Sequence, residues 1–144
     1  MINSRKLDDL LPRVKAKAEA FITKCKSAGI DVLIYSTYRD NESQDALYAQ
    51  GRTKAGAIVT NSKGGQSFHN YRVAFDFVPQ KDGKPQWDDV KLYRICGLKA
   101  KEVGLEWGGN WKFQDMPHCQ ETGGYTIMDF KNHKVPKEWL ESKI

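Results

Sequence analysis

An aspartate in the middle of an apolar strand constrains this chain more than any other feature. In Ser67-Phe68-His69-Asn70-Tyr71-Arg72-Val73-Ala74-Phe75-Asp76-Phe77 the second half alternates. Val73, Phe75 and Phe77 line one face of a strand, and Ala74, Asp76 and Val78 the other. A carboxylate so placed is costly to bury without a partner. His69 would fall on the opposite face of a single straight strand, because its offset from Asp76 is odd. It reaches Asp76 only if Asn70-Tyr71-Arg72 turns or bulges the chain, with His69 on the incoming loop. Two groups that resist burial and aim at one point indicate a cation between them.

A third partner lies in Trp107-Gly108-Gly109-Asn110-Trp111-Lys112-Phe113-Gln114-Asp115-Met116-Pro117-His118. Pro117 biases Met116 toward an extended conformation, so a short strand is expected to begin at His118. Two imidazoles and a carboxylate, with a water in the fourth position, form the donor set of a catalytic zinc site. Closed structural zinc sites draw mostly on cysteine, and that pattern is absent. Asp115 precedes His118 closely enough to reach the same centre as a general base and not as a ligand. Singly, each residue also has an ordinary reading: a core or surface histidine, a carboxylate satisfied by backbone donors, a loop acid.

The order Ser67-x-His69, Asp76, then Asp115-x-x-His118 resembles the zinc peptidases that cleave bacterial peptidoglycan stems, the D-Ala-D-Ala carboxypeptidase and L-alanyl-D-glutamate endopeptidase family. Tyr38-Arg39-Asp40, Leu47-Tyr48-Ala49-Gln50-Gly51-Arg52-Thr53 and Trp107-Gly108-Gly109-Asn110-Trp111 are similar to the endopeptidase branch, common among phage endolysins. The likeness spans residues 12–122. In one departure, Arg72 stands where the family usually has Gly, which bears on the local turn and not on the chemistry.

The resemblance implies an α+β fold, a single domain with a small antiparallel sheet flanked by helices, as in DD-peptidases and Hedgehog-type domains. It implies Zn2+ held by His69, Asp76 and His118, with Asp115 as base and Arg39 helping the metal to stabilise the oxyanion. The implied substrate is the stem peptide, cut between L-alanine and D-glutamate in a lytic, endolysin-like role. Two alternatives stand beside this: D-Ala-D-Ala carboxypeptidase or dipeptidase activity on the same fold, and a zinc-containing wall-binding domain without turnover. Arg39 reads equally as a surface ion pair with Asp40 or Glu42. Ser67 and Gln44 are expected substrate contacts, with loop and helix hydrogen bonding as the plainer alternative. Trp107 is expected to wall the cleft, Trp111 beside it, although large aromatics serve as core at least as often.

With 144 residues and 40% hydrophobic content, the chain suffices for one core, so residues 1–144 are expected to form one domain and a monomer. Its core is placed at 12–122, with a C-terminal tail over 123–144 packed on it. The net charge of +5 suits an anionic envelope polymer. A nucleic-acid partner is not expected, for want of an arginine-rich run or RNA-binding aromatic motif. Cys25, Cys96 and Cys119 are odd in number and unpaired in spacing, which indicates free thiols and a reducing compartment. Cys119 is expected to face away from His118's side of its strand. The start lacks an apolar signal-peptide region and no long apolar run exists, so the expected protein is not membrane-embedded. On that reading it is made in the bacterial cytoplasm, acts on the wall, and depends on a holin for access.

The remaining pattern predicts helix over 7–28, broken by Pro12 into a short turn and a helix starting near it, closed by Gly29, and a buried strand over 32–35. Asp40 caps a helix over 41–50, and the Gly-rich stretch 52–66 is a long loop delivering His69. Lys81-Asp82-Gly83-Lys84 is a hairpin turn, Asp88 caps a helix over 89–102, and the tail carries one packed helix after Pro136.

Overall fold

The computed structural model describes residues 1–144. A short 3-10 turn at Leu7–Asp9 precedes α1 (Pro12–Ser27), whose first position is taken by proline, where a missing N–H costs nothing. Then come β1 (Asp31–Ser36) and α2 (Asn41–Ala49), capped by Asp40, whose side chain accepts from the Ser43 N–H at 2.8 Å. After the 52–66 loop, a 3-10 turn at Phe68–Tyr71 leads into β2 (Ala74–Lys81). Asp82 and Gly83, at φ 52° and 75°, turn the chain into β3 (Lys84–Pro85). The chain continues through α3 (Val90–Glu102), β4 (Glu106–Trp107), β5 (His118–Gln120), α4 (Ile127–Lys131) and α5 (Lys137–Glu141).

The strands make one antiparallel sheet in the order β1-β2-β5-β4, with β3 paired to β2. Phe75 and Phe77, on one face of β2, meet Phe21 of α1 with ring centroids 5.8 and 5.0 Å apart. Tyr93 of α3 also packs on Phe77, with ring centroids 5.6 Å apart. These residues are fully buried or nearly so, as are Val14, Ala18, Cys25, Cys96 and Cys119. Thus α1 and α3 cover the core face of the sheet and leave Asp76's face to the cleft. Cys119 does face the core, and all three cysteines are free and buried. The α+β architecture with a small antiparallel sheet matches the sequence expectation. No helix is long and apolar enough to cross a membrane.

Two local expectations need correction. The cap of α3 is Asp89 and not Asp88: it is Asp89 whose side chain accepts from the Leu92 N–H at 3.1 Å, three residues on, as N-cap geometry requires. The tail forms two short helices, because α4 ends at Lys131 and the chain turns through His133 at φ 56°, the left-handed end of a helix, before Pro136 opens α5. The second is anchored by Arg13, which lies 4.4 Å over the Trp139 ring and donates from Nε to the Trp139 carbonyl at 3.1 Å.

Gly97 sits inside α3, where glycine is unfavourable by about 1 kcal/mol relative to alanine. The Trp107 indole lies directly on it, and an added methyl group would overlap the ring. Gly97→Ala is therefore expected to destabilise the fold by about 1–3 kcal/mol, the overpacking outweighing the helix-propensity gain. Urea unfolding of the two proteins measures this; an unchanged or higher midpoint for the variant would contradict the packing.

Candidate metal centre

Strand register brings the chemistry together. In the β2–β5 ladder Asp76 stands directly opposite His118, so both side chains leave the same face of the sheet. In the β1–β2 ladder the register slips between Ile34 and Ser36, and Ser36 lies opposite Asp76. Tyr35 is the extra residue of this bulge, and its ring borders the cleft.

His69 arrives from the 3-10 turn that the sequence required. Ser67 caps that turn, its Oγ accepting from the His69 N–H at 3.2 Å. Arg72 ends it at φ 64°, the left-handed region natural to glycine and costing an L-residue about 1–2 kcal/mol. Arg72 offsets that cost by stacking 3.8 Å over the Tyr38 ring and donating to the Asp9 carbonyl at 2.9 Å. The turn thus takes left-handed geometry with Arg72 in place.

Around Asp76, His69 Nε2 lies 3.4 Å from Oδ2 and His118 Nδ1 lies 3.5 Å from Oδ1. One donor atom from each residue can be chosen so that all three lie within 4.8 Å of one another. The two nitrogen–oxygen separations exceed the 2.7–3.2 Å of good hydrogen bonds. They match the edge of about 3.3 Å expected of a tetrahedron with bonds of about 2.0–2.1 Å. His69 Nδ1 is 2.8 Å from the Thr37 carbonyl, which can only accept, so Nδ1 carries the proton and the Nε2 lone pair faces Asp76. The donor set fits a divalent transition metal with nitrogen and oxygen preferences.

The electrostatics agree. Burial alone would push the Asp76 carboxyl upward, but the positively charged forms of His69 and His118 outweigh it and hold Asp76 well below the usual carboxylate range, the part a bound cation would take over. For His118 burial works downward, yet the Asp76 carboxylate raises it above the ordinary imidazole value. The carboxyl of Asp115 is raised chiefly by burial against the site, although His118 beside it pulls the other way. Burial lowers the Arg39 guanidinium, with Asp76 opposing.

Asp115 and Arg39 flank the centre. Asp115 Oδ2 is 4.0 Å from His118 Nδ1, at the cleft rim. Its N–H donates to the Gly108 carbonyl at 2.9 Å, and any side chain at Gly108 would strike the Asp115 backbone. Arg39 Nη2 lies 3.8 Å from Asp76 Oδ2 and donates to Ser36 Oγ at 3.1 Å. The cleft holds about 620 Å³ and includes Ser67, His69, Asp76, Asp115, His118 and Arg39 in its walls.

Two expected substrate contacts lie elsewhere. Gln44 is fully buried: its Oε1 accepts from Arg39 Nη1 at 2.7 Å and its Nε2 donates to the Ser62 carbonyl at 2.8 Å, so it ties Arg39 to the 52–66 loop. Trp107 is opposite Cys119 in the β4–β5 ladder and shares its inward parity; its Nε1 donates to the Met116 carbonyl at 2.7 Å. The tryptophan of the cleft is Trp111, with its ring centroid 5.1 Å from that of His118. Sequence reading missed Gln120, whose Oε1 is 2.7 Å from His118 Nε2, although its place two residues after His118 on a strand signalled a shared face.

Comparison with known proteins points to one family. Residues 60–121 match the family described as D-alanyl-D-alanine carboxypeptidase. Over 122 residues the chain is 45% identical to the peptidoglycan L-alanyl-D-glutamate endopeptidase CwlK of Bacillus subtilis (strain 168), covering 78% of this chain and 73% of that protein. It is 36% identical over 123 residues to the L-alanyl-D-glutamate peptidase of Listeria phage A118, covering 83% of this chain and 40% of the phage protein. Among solved structures it resembles the L-Ala D-Glu endopeptidase ChiX of Serratia marcescens, with TM-score 0.65, 17% identity and 93% of each chain covered. It also resembles the vancomycin-resistance D,D-pentapeptidase VanY in complex with Zn(II), with TM-score 0.58, 13% identity, 83% of this chain and 82% of VanY covered. At these identities the two structures establish the fold.

The buried amide of Gln44 generates a prediction. Gln44→Leu keeps the volume but strands an Arg39 N–H and the Ser62 carbonyl, each about 1–3 kcal/mol to leave unpaired. The variant is expected to lose stability in chemical denaturation and to expose the 52–66 loop to faster proteolysis; wild-type behaviour in both would show that the tie is dispensable.

Proposed function

Because the chain belongs to the D-alanyl-D-alanine carboxypeptidase family of peptidases, family M15, we propose that it is a zinc-dependent endopeptidase that hydrolyses the peptidoglycan stem peptide between L-alanine and D-glutamate. The observation that carries this reading is the convergence of His69, Asp76 and His118 with Asp115 and Arg39 in one cleft. His69 Nε2, an Asp76 carboxylate oxygen and His118 Nδ1 would hold the metal, and the Zn(II) of VanY supports zinc as its identity. When bound, zinc supplies Lewis-acid chemistry, acidifying a water toward pKa about 7 and polarising the scissile carbonyl.

The chain's own residues do the rest. Asp115, at the rim beside His118, accepts a proton from the attacking water and delivers it to the departing D-glutamate amine. The amide bond breaks, leaving the L-alanine carboxylate and a free amine. Arg39, held by Gln44 and Ser36, faces the charge that develops on the carbonyl oxygen. Val59 and Ile127 give the cleft an apolar side, and Ser67 stands where the peptide would pass. The charge of +5 draws the protein to an anionic wall, and the phage relative supports a lytic role there.

The same-fold alternative of removing a terminal D-alanine has less support. An exopeptidase needs a cation reserved for the chain-end carboxylate. Arg39 is the one lysine or arginine lining the cleft, and Asp76, Gln44 and Ser36 already engage it. A wall-binding domain without turnover has no use for Asp115 and Arg39 so placed.

Two experiments test the reading. Purified stem pentapeptide, digested and examined by mass spectrometry, should yield free L-alanine and a D-glutamate-terminated remainder; release of the terminal D-alanine instead would assign the rival activity. Asp115→Asn should retain stoichiometric zinc while turnover falls by roughly two to four orders of magnitude. Asp76→Asn should weaken zinc binding and regain part of its activity with excess zinc. Loss of zinc from Asp115→Asn with retention in Asp76→Asn would reverse the two roles.

A further inference from the structure

We propose that Glu106, acting through Gln120, decides which nitrogen of His118 is free to bind metal, and is thereby a positioning residue of the centre. The inference rests on His118 being a ligand, as proposed above. Glu106 and Gln120 are partners in the β4–β5 ladder, and Gln120 shares a strand face with His118. The side chains form an unbroken chain: His118 Nε2 is 2.7 Å from Gln120 Oε1, and Gln120 Nε2 donates to Glu106 Oε2 at 2.7 Å. Glu106 is an exposed residue, whereas Gln120 is 5% exposed and His118 8%. A surface charge is therefore wired to a buried ring.

The direction of each bond follows by elimination. An ionised carboxylate only accepts, so Glu106 requires the amide nitrogen of Gln120 on its side. That turns the amide oxygen toward His118, and the oxygen also only accepts. The proton of a neutral imidazole must then sit on Nε2, leaving the Nδ1 lone pair directed at Asp76, 3.5 Å away, where the other donor atoms lie. With the amide reversed, its N–H2 would take the Nε2 lone pair and drive the proton onto Nδ1, blocking the metal position.

His69 has its own lock, the Thr37 carbonyl, which no side-chain substitution removes. The lock on His118 consists wholly of side chains. It is the adjustable half of the centre, and its outer end lies outside the cleft, whose lining includes Gln120 but not Glu106.

Glu106→Lys supplies a test, because an ammonium only donates and forces the reversed amide. Adding Gln120→Glu to that variant places a carboxylate that accepts from both Lys and His118, which restores the tautomer. Zinc affinity is measured by competition with a chromophoric chelator for wild type, His118→Ala, Glu106→Lys and the Glu106→Lys/Gln120→Glu double variant. Expected are loss of tight binding in His118→Ala, affinity weakened about 10- to 100-fold in Glu106→Lys, and recovery to within about threefold in the double variant. Wild-type affinity in Glu106→Lys, with binding lost in His118→Ala, overturns the relay and leaves the ligand set standing. A double variant as weak as Glu106→Lys also overturns it, by assigning the loss to the strand pair. Wild-type affinity in His118→Ala removes the ligand reading itself, and the relay with it. Should Glu106→Lys not fold, nitrogen-15 NMR of the zinc-loaded wild type decides: a proton on Nε2 of His118 with metal-shifted Nδ1 upholds the relay, and the reverse pattern overturns it.

Discussion

Everything in this structure depends on a carboxylate held between two imidazoles on the open face of a small sheet. Asp76 is mostly buried, with the imidazole nitrogens of His69 and His118 3.4 and 3.5 Å from its two oxygens, so a charge there is tolerable only with positive charge shared among the three. The core face of β2 makes this possible. Phe75 and Phe77, packed on Phe21, fix the strand so that its period of two points Asp76 outward. A slip of one residue would bury the carboxylate among those rings and send the phenylalanines into the cleft. Core packing and site geometry are thus one constraint.

Around that centre, the supporting residues are anchored from the protein interior. Gln44 grips Arg39 and the 52–66 loop together, and Trp107 ties the 108–117 loop through the Met116 carbonyl. Gly97 and Gly108 are small because an indole and a loop backbone come too close for a side chain. Arg72 holds a left-handed turn by stacking on Tyr38, so that His69 enters from the side. Such pre-positioning suits a site whose parts must meet before substrate arrives.

Much of this was legible in the sequence because it rests on local periodicity. Alternation at 73–78 put Asp76 on a separate face from the phenylalanines, and the odd offset of His69 demanded the turn that is present at Phe68–Tyr71. Parity also turned Cys119 inward. What escaped depends on pairing between distant segments. Trp107 faces the core because it pairs with Cys119, and no pattern within 107–118 reveals that register. Gln44 points into the protein because the loop folds over α2, although a polar residue at its position on a helix reads as solvent-facing. The cap of α3 was read one residue early, at Asp88, and the Leu92 N–H bond to the Asp89 side chain corrects it.

The central claim is that His69 Nε2, Asp76 and His118 Nδ1 hold one zinc ion in the cleft. Anomalous diffraction from zinc-loaded crystals, recorded on both sides of the zinc absorption edge, tests it most directly. The account predicts a single strong peak within about 2.0–2.2 Å of those three atoms, with Asp115 near but unbonded. A peak bonded to other residues, to Asp115 in place of Asp76, or to the opposite nitrogen of either histidine would contradict it.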